Sequence, residues 1–141
     1  MKIRPIILCG GEGTRLWQKS TNNEPKQFIN FGGWNLFEKT LKRIKGPLFD
    51  YPIISTNVKY LKKIKFYLKK NKFNKYRIVL EPAKRNTGPA VLSAALVTDI
   101  PNKQPLLFLP SDHLLEKNDI FNKSLIKNSK YLNNKNIFLF G

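Results

Sequence analysis

The chain has 141 residues, 26 Lys and Arg against 9 Asp and Glu for a net charge of +17, 41% hydrophobic residues and one cysteine. That length suits a single domain with a sizeable core, and the longest apolar runs (Pro5 to Cys9, Leu106 to Leu109) are too short to span a bilayer. One cysteine excludes an internal disulfide, one histidine beside it excludes a zinc cage, and the N-terminus lacks the apolar core and cleavage site of a signal peptide, leaving a cytoplasmic domain without a membrane partner. Ile3 to Leu8 is an apolar run ending in glycines, the pattern of a buried strand entering a loop. Leu36 to Lys45 carries Leu36, Phe37, Leu41 and Ile44 at helical spacing and stops at Gly46-Pro47. Pro52 to Ser55 reads as a short strand, and from about Asn57 the residues Val58, Leu61, Ile64 and Leu68 recur at helical spacing among lysines. Arg77 to Leu80 is a predicted strand ending at Glu81-Pro82. Pro89 to Val97, with Val91, Leu92, Ala95 and Leu96, is a predicted helix. Leu106 to Leu109 is a strand, Phe121 to Leu132 a helix, and Asn136 to Phe140 a last strand.

This alternation predicts an α/β, Rossmann-like fold, a mostly parallel sheet with helices on both faces. The last strand reaches Gly141 with no helix after it. A parallel sheet needs both faces covered, so residues 1–141 are read as the first part of a larger domain. Its exposed last strand would be open to pairing with a complementary chain or another copy of itself.

The positive charge is a poor guide to function. Only five of the 26 basic residues are Arg (Arg4, Arg15, Arg43, Arg77, Arg85), the type favoured for bidentate recognition of phosphates and base edges. The Lys-, Asn- and Ile-rich usage resembles the bias of an AT-rich genome. Lys59 to Arg77 carries nine basic residues and no acid, and reads as an amphipathic helix with a solvated lysine face. A nucleic-acid-binding module on that face is the weaker alternative.

Four segments carry chemistry. Cys9-Gly10-Gly11-Glu12-Gly13-Thr14-Arg15-Leu16 follows the first strand, where glycines let backbone N–H groups approach an anion. It is not a dinucleotide fingerprint, which needs a third glycine where Leu16 stands, nor a Walker A loop, which needs Lys after the last glycine. Thr14 and Arg15 nevertheless add donors for phosphate oxygens, against the plainer reading of a tight turn. Pro25-Lys26-Gln27-Phe28 places a lysine beside a proline-fixed turn. Glu81-Pro82-Ala83-Lys84-Arg85-Asn86-Thr87-Gly88-Pro89 links the third strand to a helix that Asn86 or Thr87 would cap. Pro110-Ser111-Asp112-His113 ends the fourth strand, where Asp112 could hold Mg²⁺ together with phosphate oxygens. All four can converge on the edge where open α/β sheets bind ligands.

The string Leu8-Cys9-Gly10-Gly11-Glu12-Gly13-Thr14-Arg15-Leu16-Trp17 resembles the opening of the sugar-phosphate nucleotidylyltransferases. Together with Pro25-Lys26-Gln27-Phe28, Glu81-Pro82-x-x-Arg85-Asn86-Thr87 and Pro110-Ser111-Asp112-His113, it is similar to the mannose-1-phosphate guanylyltransferases, or GDP-mannose pyrophosphorylases. The resemblance implies transfer of GMP from GTP to mannose 1-phosphate, with Mg²⁺, giving GDP-mannose and pyrophosphate. It implies that Gly10, Gly11, Gly13 and Thr14 cradle the phosphates and that Arg15 and Lys26 neutralise charge during attack on the α-phosphorus. Leu8, Glu81, Pro82, Asn86 and Gly88 would meet the nucleoside, with Glu81 and Asn86 suited to guanine edges, and Asp112 would be the first Mg²⁺ ligand. The sequence departs from the family at Gln18, commonly Pro, at Ser20-Thr21, commonly Ser-Arg, and at Gly88, commonly Ala. The family's second lysine motif, sugar-binding segment and second metal carboxylate are not in these residues. The resemblance is therefore to the nucleotide-binding half, as a fragment of the enzyme or as a GTP-binding half that pairs with another chain.

Overall fold

The computed structural model describes residues 2–10, 25–81, 87–97, 100–101, 103–133 and 136–140. Four strands, β1 (Arg4–Cys9), β2 (Ile53–Asn57), β3 (Arg77–Glu81) and β4 (Leu106–Pro110), form one parallel sheet in the order β3-β2-β1-β4. Four helices, α1 (Leu36–Arg43), α2 (Leu61–Lys70), α3 (Thr87–Ala95) and α4 (Asn118–Ser129), alternate with them, so the predicted α/β class and parallel sheet are present. No helix among the described residues is long and apolar enough to cross a membrane.

Side chains alternate across the sheet, and each strand therefore feeds two cores. On one face Ile7, Ile54, Leu107 and Leu109 pack against Phe37 and Leu41 of α1, Ile64 and Leu68 of α2, and Leu125 of α4. On the other, Ile6 and Ile53 pack against Ala94 of α3, with Leu8, Val79, Leu106 and Phe108 around them. Local chemistry sets the helix ends. The Asn35 side chain accepts the Glu38 N–H at 2.8 Å at the start of α1, and Gly46, at φ +121°, takes the chain away after its end.

Three predicted details differ. Val58 is exposed because Val58–Tyr60 form a 3-10 turn ahead of α2, whose tighter winding sends Tyr60 inward instead. In α3 the buried positions are Ala90 and Ala94, while Leu92 and Leu96 face out. Ala94 packs directly with Ile6 and Ile53, so the small residues form the buried side of the helix. Asn136 to Phe140 join no strand ladder: Ile137 and Leu139 are 90% and 93% exposed, and the Phe140 ring rests against Phe121 at 6.2 Å. β4 is the outer strand among the described residues.

At the amino end of the sheet a buried arginine joins three segments. Arg4 pairs with Asp50 (Nη2 to Oδ2, 2.9 Å), donates to the Tyr51 carbonyl at 2.9 Å and to Gln104 at 3.1 Å, and stacks on the Tyr51 ring at 3.6 Å. Burial raises the Asp50 pKa, but hydrogen bonds from Gln104 and the Tyr51 N–H, with the charge of Arg4, outweigh it and hold the carboxyl below its usual value. A depressed carboxylate adds stability above its unfolded pKa of about 3.9, and that stability is lost as pH falls through the lower folded value. Urea unfolding of Asp50→Asn is expected to show a loss of ~2 kcal/mol at pH 7, the size of a charged hydrogen bond, shrinking as the pH drops below about 4. A loss independent of pH would mean that the Asp50 charge does not stabilise the fold.

Candidate functional site

The sheet reverses its order beside β1. The chain leaves β1 and β2 through α1 and α2 on one face, whereas the crossover from β3 to β4 runs through α3 on the other. Such a reversal opens a crevice beyond the carboxyl ends of the central strands. The Ser111 N–H donates to the Leu8 carbonyl at 3.1 Å, so the loop after β4 is tied to β1 at the floor of this crevice.

On the α1 side, residues Lys26–Phe28 form a 3-10 turn in which each side chain has a different task. Phe28 is buried, stacked on Tyr67 (5.9 Å, 7° between planes) and edge-on to Phe37 at 5.7 Å. Gln27 is buried beside it, its amide 3.7 Å from Cys9 Sγ. With these two anchored, Lys26 is held at the crevice, its Nζ 3.6 Å from Asp112 Oδ2. Both groups of this pair are partly exposed, 29% and 37%, so the pair itself adds little stability and both ends stay available to a ligand. Burial pushes the Cys9 thiol up to about 12, despite nearby Ser111, Gln27 and Thr56, which makes it a neutral packing group and no nucleophile at physiological pH.

On the α3 side, Glu81 at the end of β3 reaches over β2 toward β1. Ser55 Oγ donates to Glu81 Oε1 at 2.7 Å. A Cβ placed on Gly10 would come within 3.0 Å of Glu81 Oε2. A side chain at Gly10 would therefore press on the Glu81 carboxylate, which would have to shift by a few tenths of an ångström. A methyl on Gly88, near the start of α3, would meet nothing within 4 Å, so the family's common Ala at that position is sterically neutral.

Of the expected site residues, Leu8, Gly10, Lys26, Glu81, Gly88 and Asp112 are described. Leu8 lies near the end of β1 and Gly10 directly follows it, Lys26 faces Asp112 beyond β4, Glu81 meets Gly10 across β2, and Gly88 lies in the first turn of α3. Gly11, Gly13, Thr14, Arg15, Pro82 and Asn86 lie outside the described residues. Two residues were missed in the sequence: Ser55, and Arg43, buried at the end of α1, whose Nη2 donates to the His113 carbonyl at 3.0 Å and steadies the loop after β4. The polar run Ser55-Thr56-Asn57 directly after Ile53-Ile54 was the available signal for the first. The His113 imidazole is 66% exposed and therefore does not pack in the core. Among the described residues no three His, Cys, Asp or Glu side chains cluster as a metal cage. Asp112 alone suits a cation that takes one carboxylate and completes its shell with phosphate oxygens and water, the habit of Mg²⁺.

Residues 4–140 match the nucleotidyl transferase family. The alginate biosynthesis protein AlgA of Pseudomonas fluorescens is 34% identical over 139 residues, 97% of this chain and 29% of its own length. The mannose-1-phosphate guanylyltransferase of Klebsiella pneumoniae is 31% identical over 141 residues, 99% of this chain and 30% of its own length. Among solved structures, mannose-6-phosphate isomerase from Helicobacter pylori superposes with a TM-score of 0.71 at 28% identity, covering 92% of this chain and 46% of that one. The inositol-1-phosphate CTP transferase of T. maritima shares the fold, with a TM-score of 0.61 at 21% identity over 79% of this chain and 44% of that one. The chain thus spans about 30% of the length of the curated relatives it matches.

Gly10→Ala puts a methyl against the Glu81 carboxylate, and the side-chain end has to yield. The Glu81 carboxyl carbon resonance is expected to shift while that of Asp112 stays in place, with a stability loss of no more than ~1 kcal/mol, the low end for overpacking. An unmoved Glu81 resonance would contradict the contact.

Proposed function

Because the chain belongs to the nucleotidyl transferase family, we propose that its crevice binds GTP and that, within a polypeptide of full catalytic length, it serves transfer of GMP to mannose 1-phosphate. The observation that carries this reading is the convergence of the Lys26–Asp112 pair and the Ser55–Glu81–Gly10 cluster on one sheet edge. It is supported by 31–34% identity to mannose-1-phosphate guanylyltransferases and to the alginate protein.

In this reading the nucleotide crosses the end of β1. Its base lies on the α3 side against Glu81, with Leu8, Pro82, Asn86 and Gly88 around the nucleoside, and its triphosphate runs toward Lys26 and Asp112. Backbone N–H groups at Gly10, Gly11 and Gly13, with the Thr14 hydroxyl, hold phosphate oxygens. A phosphate oxygen of mannose 1-phosphate forms a bond to the α-phosphorus of GTP as the bond to the β-phosphate oxygen breaks, so GDP-mannose forms and pyrophosphate leaves with that electron pair. Transfers of this kind depend on position and electrostatics, and the cations of Arg15 and Lys26 offset the charge that builds up. Asp112 would hold Mg²⁺, which when bound neutralises phosphate charge. Lys26, released from Asp112 by the incoming phosphates, gains a stronger anionic partner than the one it leaves.

Because the chain spans about 30% of the length of the curated relatives it matches, nucleotide binding is tested apart from turnover. GTP with Mg²⁺ is expected to raise the melting temperature more than ATP with Mg²⁺ does, and Lys26→Ala is expected to shrink both shifts, because a ligand of the folded state stabilises it by mass action. Equal small shifts for every nucleoside triphosphate would reduce the crevice to a nonspecific anion patch.

A further inference from the structure

Ser55 is the middle residue of β2 and has no exposed surface, laddered between Leu8 of β1 and Val79 of β3. Its position is therefore fixed by both neighbouring strands. Glu81, by contrast, is the last residue of β3, and its long side chain has several free torsions. The 2.7 Å bond from Ser55 Oγ to Glu81 Oε1 is short, as hydroxyl-to-carboxylate bonds are, and it ties the mobile group to the rigid one. On its other side the carboxylate rests over the bare backbone of Gly10. The carboxylate is confined between a hydroxyl donor and a glycine, at the sheet edge where the base lies in the proposed function.

An ionised carboxylate only accepts hydrogen bonds. Held still, it favours a base edge with two adjacent N–H donors, as guanine offers through N1–H and the 2-amino group. Adenine offers an acceptor, N1, beside its amino group, and brings a lone pair against the same oxygens. Resting on the reading of Glu81 as the base-contacting group, we propose that Ser55 is a positioning residue for base choice. Its hydroxyl fixes the Glu81 carboxylate in the orientation that accepts from guanine, and so makes the site select GTP over ATP.

The test is calorimetric titration of the chain with GTP and with ATP, each with Mg²⁺, for the wild type, Ser55→Ala, Ser55→Cys and Glu81→Gln. The cysteine variant fills the volume with a weak donor, so a packing defect in the alanine variant does not decide the outcome. ATP affinity, which rests on the triphosphate contacts, reports whether the fold is intact. The wild type is expected to prefer GTP, Glu81→Gln to lose the preference, and both Ser55 variants to reduce it about fivefold to tenfold with ATP affinity unchanged, the loss of one charge-assisted hydrogen bond. Ser55 variants that keep the full preference while Glu81→Gln loses it would overturn the proposal and leave Ser55 as a tie between strands. A wild type without preference, or a Glu81→Gln variant that keeps it, would remove the base-contacting role of Glu81 and the proposal with it.

Discussion

The structure depends on β1 being paired on both sides and covered on both faces while the sheet reverses its order at its flank. Its ladders to β2 and β4 leave no freedom in Ile6, Ile7 and Leu8, and its two rows of side chains feed both cores. The strand must nevertheless end abruptly, since Gly10 lies under a carboxylate from β3 and the Leu8 carbonyl is already taken by Ser111. Chemistry that arrives on four different segments is gathered at this strand end because the parallel pairing points every strand the same way.

Neighbouring residues divide the work of building the site. In the turn at Lys26–Phe28, an aromatic ring in the core and an amide against Cys9 hold a lysine that is itself half free. The arginines follow the same economy. Arg4 and Arg43 are buried and bind carbonyls and side chains of the fold, so neither adds to a recognition surface. The lysines of α2 are all exposed, and one of them, Lys70, reaches Glu38 of α1 at 2.9 Å. Lys62, Lys63, Lys65 and Lys69 thus present their charge away from the strand ends, whereas Lys26 is the lysine that faces Asp112.

The parallel sheet and its helices were legible because apolar runs and helical spacing alternate cleanly, and the motifs because each follows a strand end. Details that depend on tertiary fit were not. Hydrophobicity favoured Leu92 and Leu96 over Ala90 and Ala94, but closeness to the sheet selects the smaller side chains. Val58 was misplaced by a change in winding that spacing alone does not reveal. Asn136 to Phe140 has the composition of a strand, yet a strand needs a ladder, and none pairs with it among the described residues. Ser55 carries no motif, and its meaning arises only when β3 brings Glu81 beside it. The residues that resemble phosphate cradles, Gly11 to Arg15, lie outside the described residues, and their roles stand on the sequence pattern.

The most direct test of a nucleotide site at this edge is an NMR titration of the chain with GTP and Mg²⁺, following backbone amide resonances. The account predicts that the largest shifts fall on Cys9 and Gly10 after β1, Ser55 within β2, Glu81 at the end of β3, and Ser111 and Asp112 after β4. Shifts confined to the lysines of α2, or spread evenly over basic residues, would contradict it and make the charge on the outer helix the place where the anion binds.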